Sequence, residues 1–120
     1  MSKSTQKIGR QGEALAAAFL TRKDYAILAR NYRFARGEID IVARKDDVLV
    51  FVEVKTAAST TFGEPETWVT ERKQQQIGRV AERYLQQEEI EEVDCRFDVI
   101  AVQVAAGEWK IKHIENAFWL

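Results

Sequence analysis

The sequence is sparing with residue types that often announce chemistry: it holds one cysteine (Cys95), one proline (Pro65) and one histidine (His113). A single cysteine cannot close an internal disulfide and reads as a small core residue. A single histidine excludes a histidine-rich zinc site and is a poor basis for a histidine general base. On an alternating strand it reads as a surface residue. No apolar run approaches the roughly 18 residues needed to span a bilayer. The opening MSKSTQKIGRQGE carries charges with no apolar stretch behind them, so it does not read as a secretory signal. These absences lead to the expectation of a cytoplasmic protein with no membrane partner. P-loops, dinucleotide fingerprints and serine-nucleophile elbows are missing too, as are repeats and low-complexity segments.

A strong charge of one sign is also lacking, since the formal net charge is -1. That counts against nucleic-acid binding, but the distribution is uneven. Residues 1–36 hold eight Lys/Arg against Glu13 and Asp24, a net of +6, and the other 84 residues carry -7. A basic end on a near-neutral chain can hold phosphates locally, with weak and salt-sensitive binding. A solvated basic helix and loop is the alternative. Arg10, Arg33 and Arg36 are the candidate contacts.

What is present fits one folded α/β domain over residues 1–120, with 46% hydrophobic content. Residues 6–22 read as a helix, with Ile8, Gly12, Leu15, Ala16, Phe19 and Leu20 at helical spacing. Gly9, Gly12 and Ala16 are small enough to let it approach a sheet closely. YAILARNYR (25–33) favours a strand. GEIDIVARK (37–45) and VLVFVEVKT (48–56) are β-rich and separated by Asp46-Asp47, a plausible tight turn. Residues 57–66, with Gly63 and Pro65, read as loop. A second helix is expected at about 68–88, with Val69, Ile77, Val80, Ala81, Tyr84 and Leu85 on its apolar side. After an acidic connector, CRFDVIAVQV (95–104) and EWKIKHIENAF (108–118) read as strands, the first buried. The order αβββαββ implies a mixed sheet with a helix on each face.

Chemistry concentrates in residues 37–56. Strand side chains alternate between faces, so Glu38, Asp40 and Val42 are expected on one face of their strand. Leu49, Phe51, Glu53 and Lys55 should share a face of the next, opposite Val50, Val52 and Val54. A strand aliphatic on both faces reads as buried, and charges there need partners. A two-residue turn at Asp46-Asp47 sets Lys45 against Val48, Asp40 against Glu53, and Glu38 against Lys55. Glu38 and Lys55 would then satisfy each other. Two opposed carboxylates repel unless one takes up a proton or a cation joins them. Hard carboxylate oxygens suit Mg2+ or Mn2+. Lys55 beside such a metal matches what phosphodiester hydrolysis needs.

Asp40, twelve residues and then Glu53-Val54-Lys55 resembles the D…(D/E)xK signature of the restriction-endonuclease-like superfamily. A wider pattern is similar to the YraN-like bacterial family: G-x-x-G-E at 9–13, N-Y-R at 31–33, G-E-I-D at 37–40, F-V-E-V-K at 51–55, F-G at 62–63, R-F-D-V at 96–99 and N-A-F at 116–118. The resemblance spans almost the whole chain. It implies a restriction-endonuclease-like fold, similar to archaeal Holliday junction resolvases, and a metal-dependent endonuclease acting on DNA, branched DNA included. It also implies that Glu13 joins Asp40 and Glu53 as a metal ligand, with Lys55 completing the catalytic set, and it suggests a homodimer by fold-level analogy. Thr56-Ala57-Ala58 departs from relatives that commonly carry an arginine shortly after the lysine. That departure keeps a second reading open, a nuclease fold that binds nucleic acid or a protein partner without turnover. A structural domain whose Asp40 and Glu53 share a proton is a third.

Among other residues, Arg96 and Asp98 read as a structural ion pair. Lys73 and Gln76 lie where they could reach the site, or could line the edges of a covering helix. Trp68, Trp109 and Trp119 read as core packing rather than base-stacking platforms, with Trp68 able to touch a ligand from the 57–66 loop.

Overall fold

The computed structural model describes residues 3–57 and 69–119. Its first helix, α1 (Lys3–Arg22), carries Ala16 and Leu20 one turn apart, both fully buried. Three strands follow: β1 (Ala26–Phe34), β2 (Gly37–Lys45) and β3 (Val48–Ala57). Helix α2 (Glu71–Gln87) leads to β4 (Asp94–Ala105) and β5 (Glu108–Phe118). The element order is the expected αβββαββ. The sheet is ordered β1-β2-β3-β4-β5, with β3 and β4 parallel and every other neighbour pair antiparallel. Joining parallel neighbours requires a crossover, and α2 lies in that connection. Among the described residues no helix is long and apolar enough to cross a membrane.

Each face of the sheet carries its own core. Under α2, Ile77, Val80, Ala81 and Tyr84 pack on Ile39, Val42, Leu49, Phe51, Val99 and Ala101. Under α1, Ala16 and Leu20 pack on Ile41, Ala43, Val50, Val52, Ile100 and Val102. On β3 the alternation holds as expected, since Leu49 and Phe51 take one side while Val50 and Val52 take the other. α1 approaches the sheet so closely that a Cβ at Gly12 would stand 2.0 Å from Thr56 Oγ1. Gly9 makes no such approach. Helix α2 begins later than its pattern suggests. Thr70 caps it by accepting from the Lys73 amide at 3.2 Å, and Val69 is buried just ahead of the cap.

Several expectations change. Cys95 is exposed at the start of β4 rather than packed in the core. Trp109 and Trp119 are exposed as well, Trp109 near the start of the edge strand β5 and Trp119 just past its end. The Phe62-Gly63 motif, Pro65 and Trp68 lie outside the described residues. His113, expected at the surface, has a side chain only 4% exposed. It is drawn inward by Asp98, whose Oδ2 lies 2.7 Å from His113 Nε2. A carboxylate only accepts, so Nε2 is the donor. The ring is also flanked edge-on by Phe19 and Tyr25. Arg96 and Asp98 form the expected ion pair, at 2.9 Å.

Candidate functional site

The β2–β3 ladder runs from Lys45↔Val48 to Ile41↔Val52 in the register predicted from the two-residue turn. The paired positions end there. The Val54 amide donates to Asp40 Oδ2 at 2.7 Å, so an aspartate side chain takes the place of the next ladder bond. The face alternation of β2 also breaks at this point. Ile39 and Val42 belong to the core under α2, whereas Ile41 belongs to the core under α1. Period-two arithmetic therefore fails across Asp40, and Glu38, Asp40 and Val42 do not share a face. Opposite this break on β1 is Asn31, flanked by the pairs Arg30↔Ile41 and Tyr32↔Ile39. Its φ of 52° lies in the left-handed region, which asparagine tolerates better than most residues.

Asn31 uses that conformation to tie carboxylates together. Its Nδ2 donates to Glu13 Oε1 of α1 at 2.7 Å and to Glu38 Oε1 of β2 at 2.8 Å. Glu13, Glu38 and Asp40 each place a carboxylate oxygen within 4.8 Å of the others. Glu53 stands outside this tight trio but is close enough to Asp40 for the two carboxyls to influence each other's protonation. It also lies 3.9 Å from Lys73 Nζ of α2 and is 13% exposed. Four carboxylates thus meet where β2 and β3 part, reached by α1 from one face and α2 from the other.

The electrostatics follow from that crowding. Burial, then the charge of Glu53, push the Asp40 carboxyl up to about 8; the Val54 amide offsets part of this, and Glu13 and Glu38 add to it. Glu53 is also raised by burial, against the pull of Lys73 and Lys55. Burial raises Glu38 as well, but bonds from Asn31 and Arg33 outweigh it and hold this carboxyl below its usual range. One carboxyl of the group therefore carries a proton near neutrality unless a cation replaces it.

The expected site residues divide as follows. Glu13, Asp40 and Glu53 gather at the parting of the strands. Lys55 is exposed and makes no ion pair within 4.0 Å among the described residues, although it is close enough to lower Glu53. The expected Glu38–Lys55 pair does not form, because the break at Asp40 turns Glu38 toward Arg33, at 3.0 Å, and Asn31. Arg33 is thereby engaged, Arg10 is exposed on α1, and Arg36 is exposed in the β1–β2 turn. Lys73 reaches Glu53, whereas Gln76 donates to the Arg36 carbonyl at 3.0 Å instead. Residue-pattern reasoning missed Glu38 and Asn31 as members of the site. The available clue was an asparagine in a strand with poor β-propensity.

A family model described as Uncharacterised protein family UPF0102 matches residues 12–102. A UPF0102 protein of Alkaliphilus oremlandii is 50% identical over 115 residues, covering 94% of this chain and 98% of its own. One from Prosthecochloris aestuarii is 48% identical, covering 99% and 98%. A third, from Geobacter metallireducens, is 44% identical and covers 100% and 98%. The matched segment contains Glu13, Glu38, Asp40, Glu53, Lys55 and Lys73. With the family match and these near full-length identities together, the chain belongs to the UPF0102 family.

Proposed function

We propose that this protein is a Mg2+- or Mn2+-dependent endonuclease that hydrolyses phosphodiester bonds in DNA, with branched duplexes among its candidate substrates. The observation that carries this reading is the partly buried Asp40 carboxylate, within 4.8 Å of carboxylate oxygens of Glu13 and Glu38 and crowded as well by the charge of Glu53, which with burial pushes it up to about 8. Such a cluster is costly on its own and favourable around a divalent cation. The donor set consists of carboxylate oxygens, which suits hard cations and argues for Mg2+ or Mn2+ over softer metals. When bound, the metal supplies the charge that polarises the phosphate and lowers the pKa of water.

The chain's own residues divide the remaining work. Asp40, Glu53 and Glu13 hold the cation. Asn31 braces Glu13 against Glu38, and Lys73 steadies Glu53 from α2. Lys55 is left uncommitted, exposed beside Glu53, where its ammonium can orient the attacking water or balance charge developing on the phosphate. Arg10, Arg33 and Arg36, from the basic first 36 residues, would meet DNA phosphates. Symmetric cutting of two strands calls for two sites, which a homodimer would provide.

The test is a cleavage panel with Mn2+ on linear duplex, single-stranded and four-way DNA. Cleavage lost in Asp40→Asn and Glu53→Gln is the expected result. The second reading, a module that binds without cutting, has the residues after Lys55 in its favour: Thr56, Ala57 and Ala58 supply no cation for the phosphate. Metal and DNA binding without cleavage by the wild type would select it. Wild-type protein that binds no divalent cation would overturn the nuclease reading and leave Asp40 and Glu53 as a proton-sharing structural pair.

A further inference from the structure

A second feature lies beside the carboxylates but is built from opposite charge. The β1–β2 turn and the flank of α2 enclose a cleft of about 400 Å³ lined by Phe34, Arg36, Gly37, Arg72, Gln76 and Arg79, among others. Three of these residues are arginines. Arg83 continues the row, with its guanidinium 5.4 Å from the Phe34 ring centroid. Residues 72, 76, 79 and 83 repeat at helical spacing and therefore form one stripe along α2. Among the described residues, no carboxylate lies within 4.0 Å of Arg36, Arg72, Arg79 or Arg83 in an ion pair. In a chain of net charge -1, four guanidinium groups along this stripe and turn, with no acidic ion-pair partner among the described residues, form a marked local concentration of positive charge.

A solvated arginine face is the ordinary explanation for such a stripe. The shape of this one argues for more. The turn is clamped to the helix: Gln76 Nε2 donates to the Arg36 carbonyl at 3.0 Å. A Cβ at Gly37 would stand 2.5 Å from Val80 Cγ2, so the approach of strand to helix is as close as glycine permits. The cleft walls are thereby fixed, and the arginines on them need less ordering to engage an anion. Position supplies the second consideration. Gly37 precedes Glu38, and Arg72 precedes Lys73, the partner of Glu53. On two separate elements the arginine cleft begins one residue from the carboxylate site.

We infer that this cleft is the phosphate track of the protein, in which Arg36, Arg72 and Arg79 bind the backbone of the DNA strand that runs to the carboxylate site. This inference rests on the nuclease reading above and extends it to α2, a helix outside the basic first 36 residues. From Arg72 to Arg83 the stripe covers about 16 Å at ~1.5 Å per helical residue. A DNA strand advances ~3.4 Å per phosphate along the duplex axis, so several phosphates fit along the row. Guanidinium groups suit the task because they offer paired donors to phosphate oxygens and keep their charge at all relevant pH values.

The experiment uses full-length protein and fluorescein-labelled duplex and four-way DNA, with anisotropy measured as a function of salt. Removing one guanidinium–phosphate interaction costs on the order of tenfold in affinity at about 0.1 M salt and lowers the salt slope by about one unit. Arg72→Ala/Arg79→Ala should therefore reduce the slope by about two units. Arg72→Lys/Arg79→Lys should keep most of the slope, and Lys110→Ala on the distant strand β5 should keep all of it. Both arginine variants replace exposed side chains, so the folded state should survive, which their thermal midpoints would verify. Mn2+ calorimetry on the same variants separates the two claims. Normal metal binding with an unchanged DNA salt slope would overturn the phosphate track and leave the carboxylate site standing. Failure of the wild type to bind both Mn2+ and DNA would overturn both.

Discussion

Two aspartates of one sheet, Asp98 fully buried and Asp40 partly so, have opposite surroundings. Asp98 on β4 is fully buried, yet its hydrogen-bond partners all favour its charge. Arg96 donates to both of its oxygens at 2.9 Å, His113 approaches at 2.7 Å and the Asn116 amide at 3.1 Å. Burial pushes this carboxyl up, but those bonds prevail and hold it below the usual range. Asp40 on β2 receives one backbone amide and is surrounded by Glu53, Glu13 and Glu38, so burial and like charge drive it up to about 8. The comparison separates a carboxylate whose neighbours hold its charge in place from one whose neighbours oppose it. The Asp98 network also ties β4 to other elements, since Arg96 donates to the Tyr25 hydroxyl at 2.6 Å.

The largest expected difference is in stability. Asp98→Ala leaves Arg96 and His113 without their acceptor and should cost about 3–5 kcal/mol in chemical denaturation, the range for breaking a buried ion pair. Metal-free Asp40→Asn should instead gain about 1 kcal/mol at pH 7, since it removes repulsion while its amide oxygen still accepts from Val54. If Asp40→Asn lost several kcal/mol, the two aspartates would be alike, and Asp40 would be a structural group.

A pH series sharpens the same contrast. Asp40 has a folded pKa raised above its unfolded value of 3.8, so the native state binds the extra proton between those values. Metal-free stability should accordingly fall as pH rises from about 4 to 8. Asp98 is depressed, so its contribution is present above the unfolded value and is lost only as pH falls through the folded one. Thermal midpoints at pH 5 and pH 8 should converge in Asp40→Asn and differ in the wild type. Saturating Mn2+ should reduce the wild-type decline. A decline of equal size in both proteins would assign it to other groups.

The smallest expected effect on stability belongs to Lys55. Pairing arithmetic makes Lys55 the partner of Glu38, and its removal would then be damaging. With Glu38 held by Arg33 and Asn31, Lys55→Met should change metal-free stability by no more than about 0.5 kcal/mol, as for other surface positions. Cleavage should still be abolished. Lys73→Met should disturb Glu53 more, and a shift in the pH dependence of Mn2+ affinity would show it.

These outcomes depend on the stretch around Asp40, where sequence periodicity misleads. The hydrophobic alternation of β3 and the two-residue turn are legible because aliphatic residues declare their faces and a short turn leaves one register. Asp40 and Glu53 are legible as site candidates through motif spacing, and Glu13 only through the family resemblance. The break at Asp40 is not, because a local reversal opposite a left-handed Asn31 leaves no mark in a pattern of apolar and polar letters. It decides the partners of Glu38 and Lys55. His113 escapes the pattern for a related reason: alternation on β5 indicates a side, but the buried Asp98 that draws the ring inward lies fifteen residues away in sequence.

If the carboxylates around Asp40 form a divalent-cation site, isothermal titration with Mn2+ at pH 7 in two buffers of different ionisation enthalpy will reveal it. Because Asp40 is raised to about 8, binding should expel a proton. The wild type should show saturable binding whose heat changes with the buffer, and Asp40→Asn should show binding that is sharply weakened and independent of the buffer. Wild-type protein that gives no saturable heat, or Asp40→Asn that binds Mn2+ as the wild type does, would contradict the account.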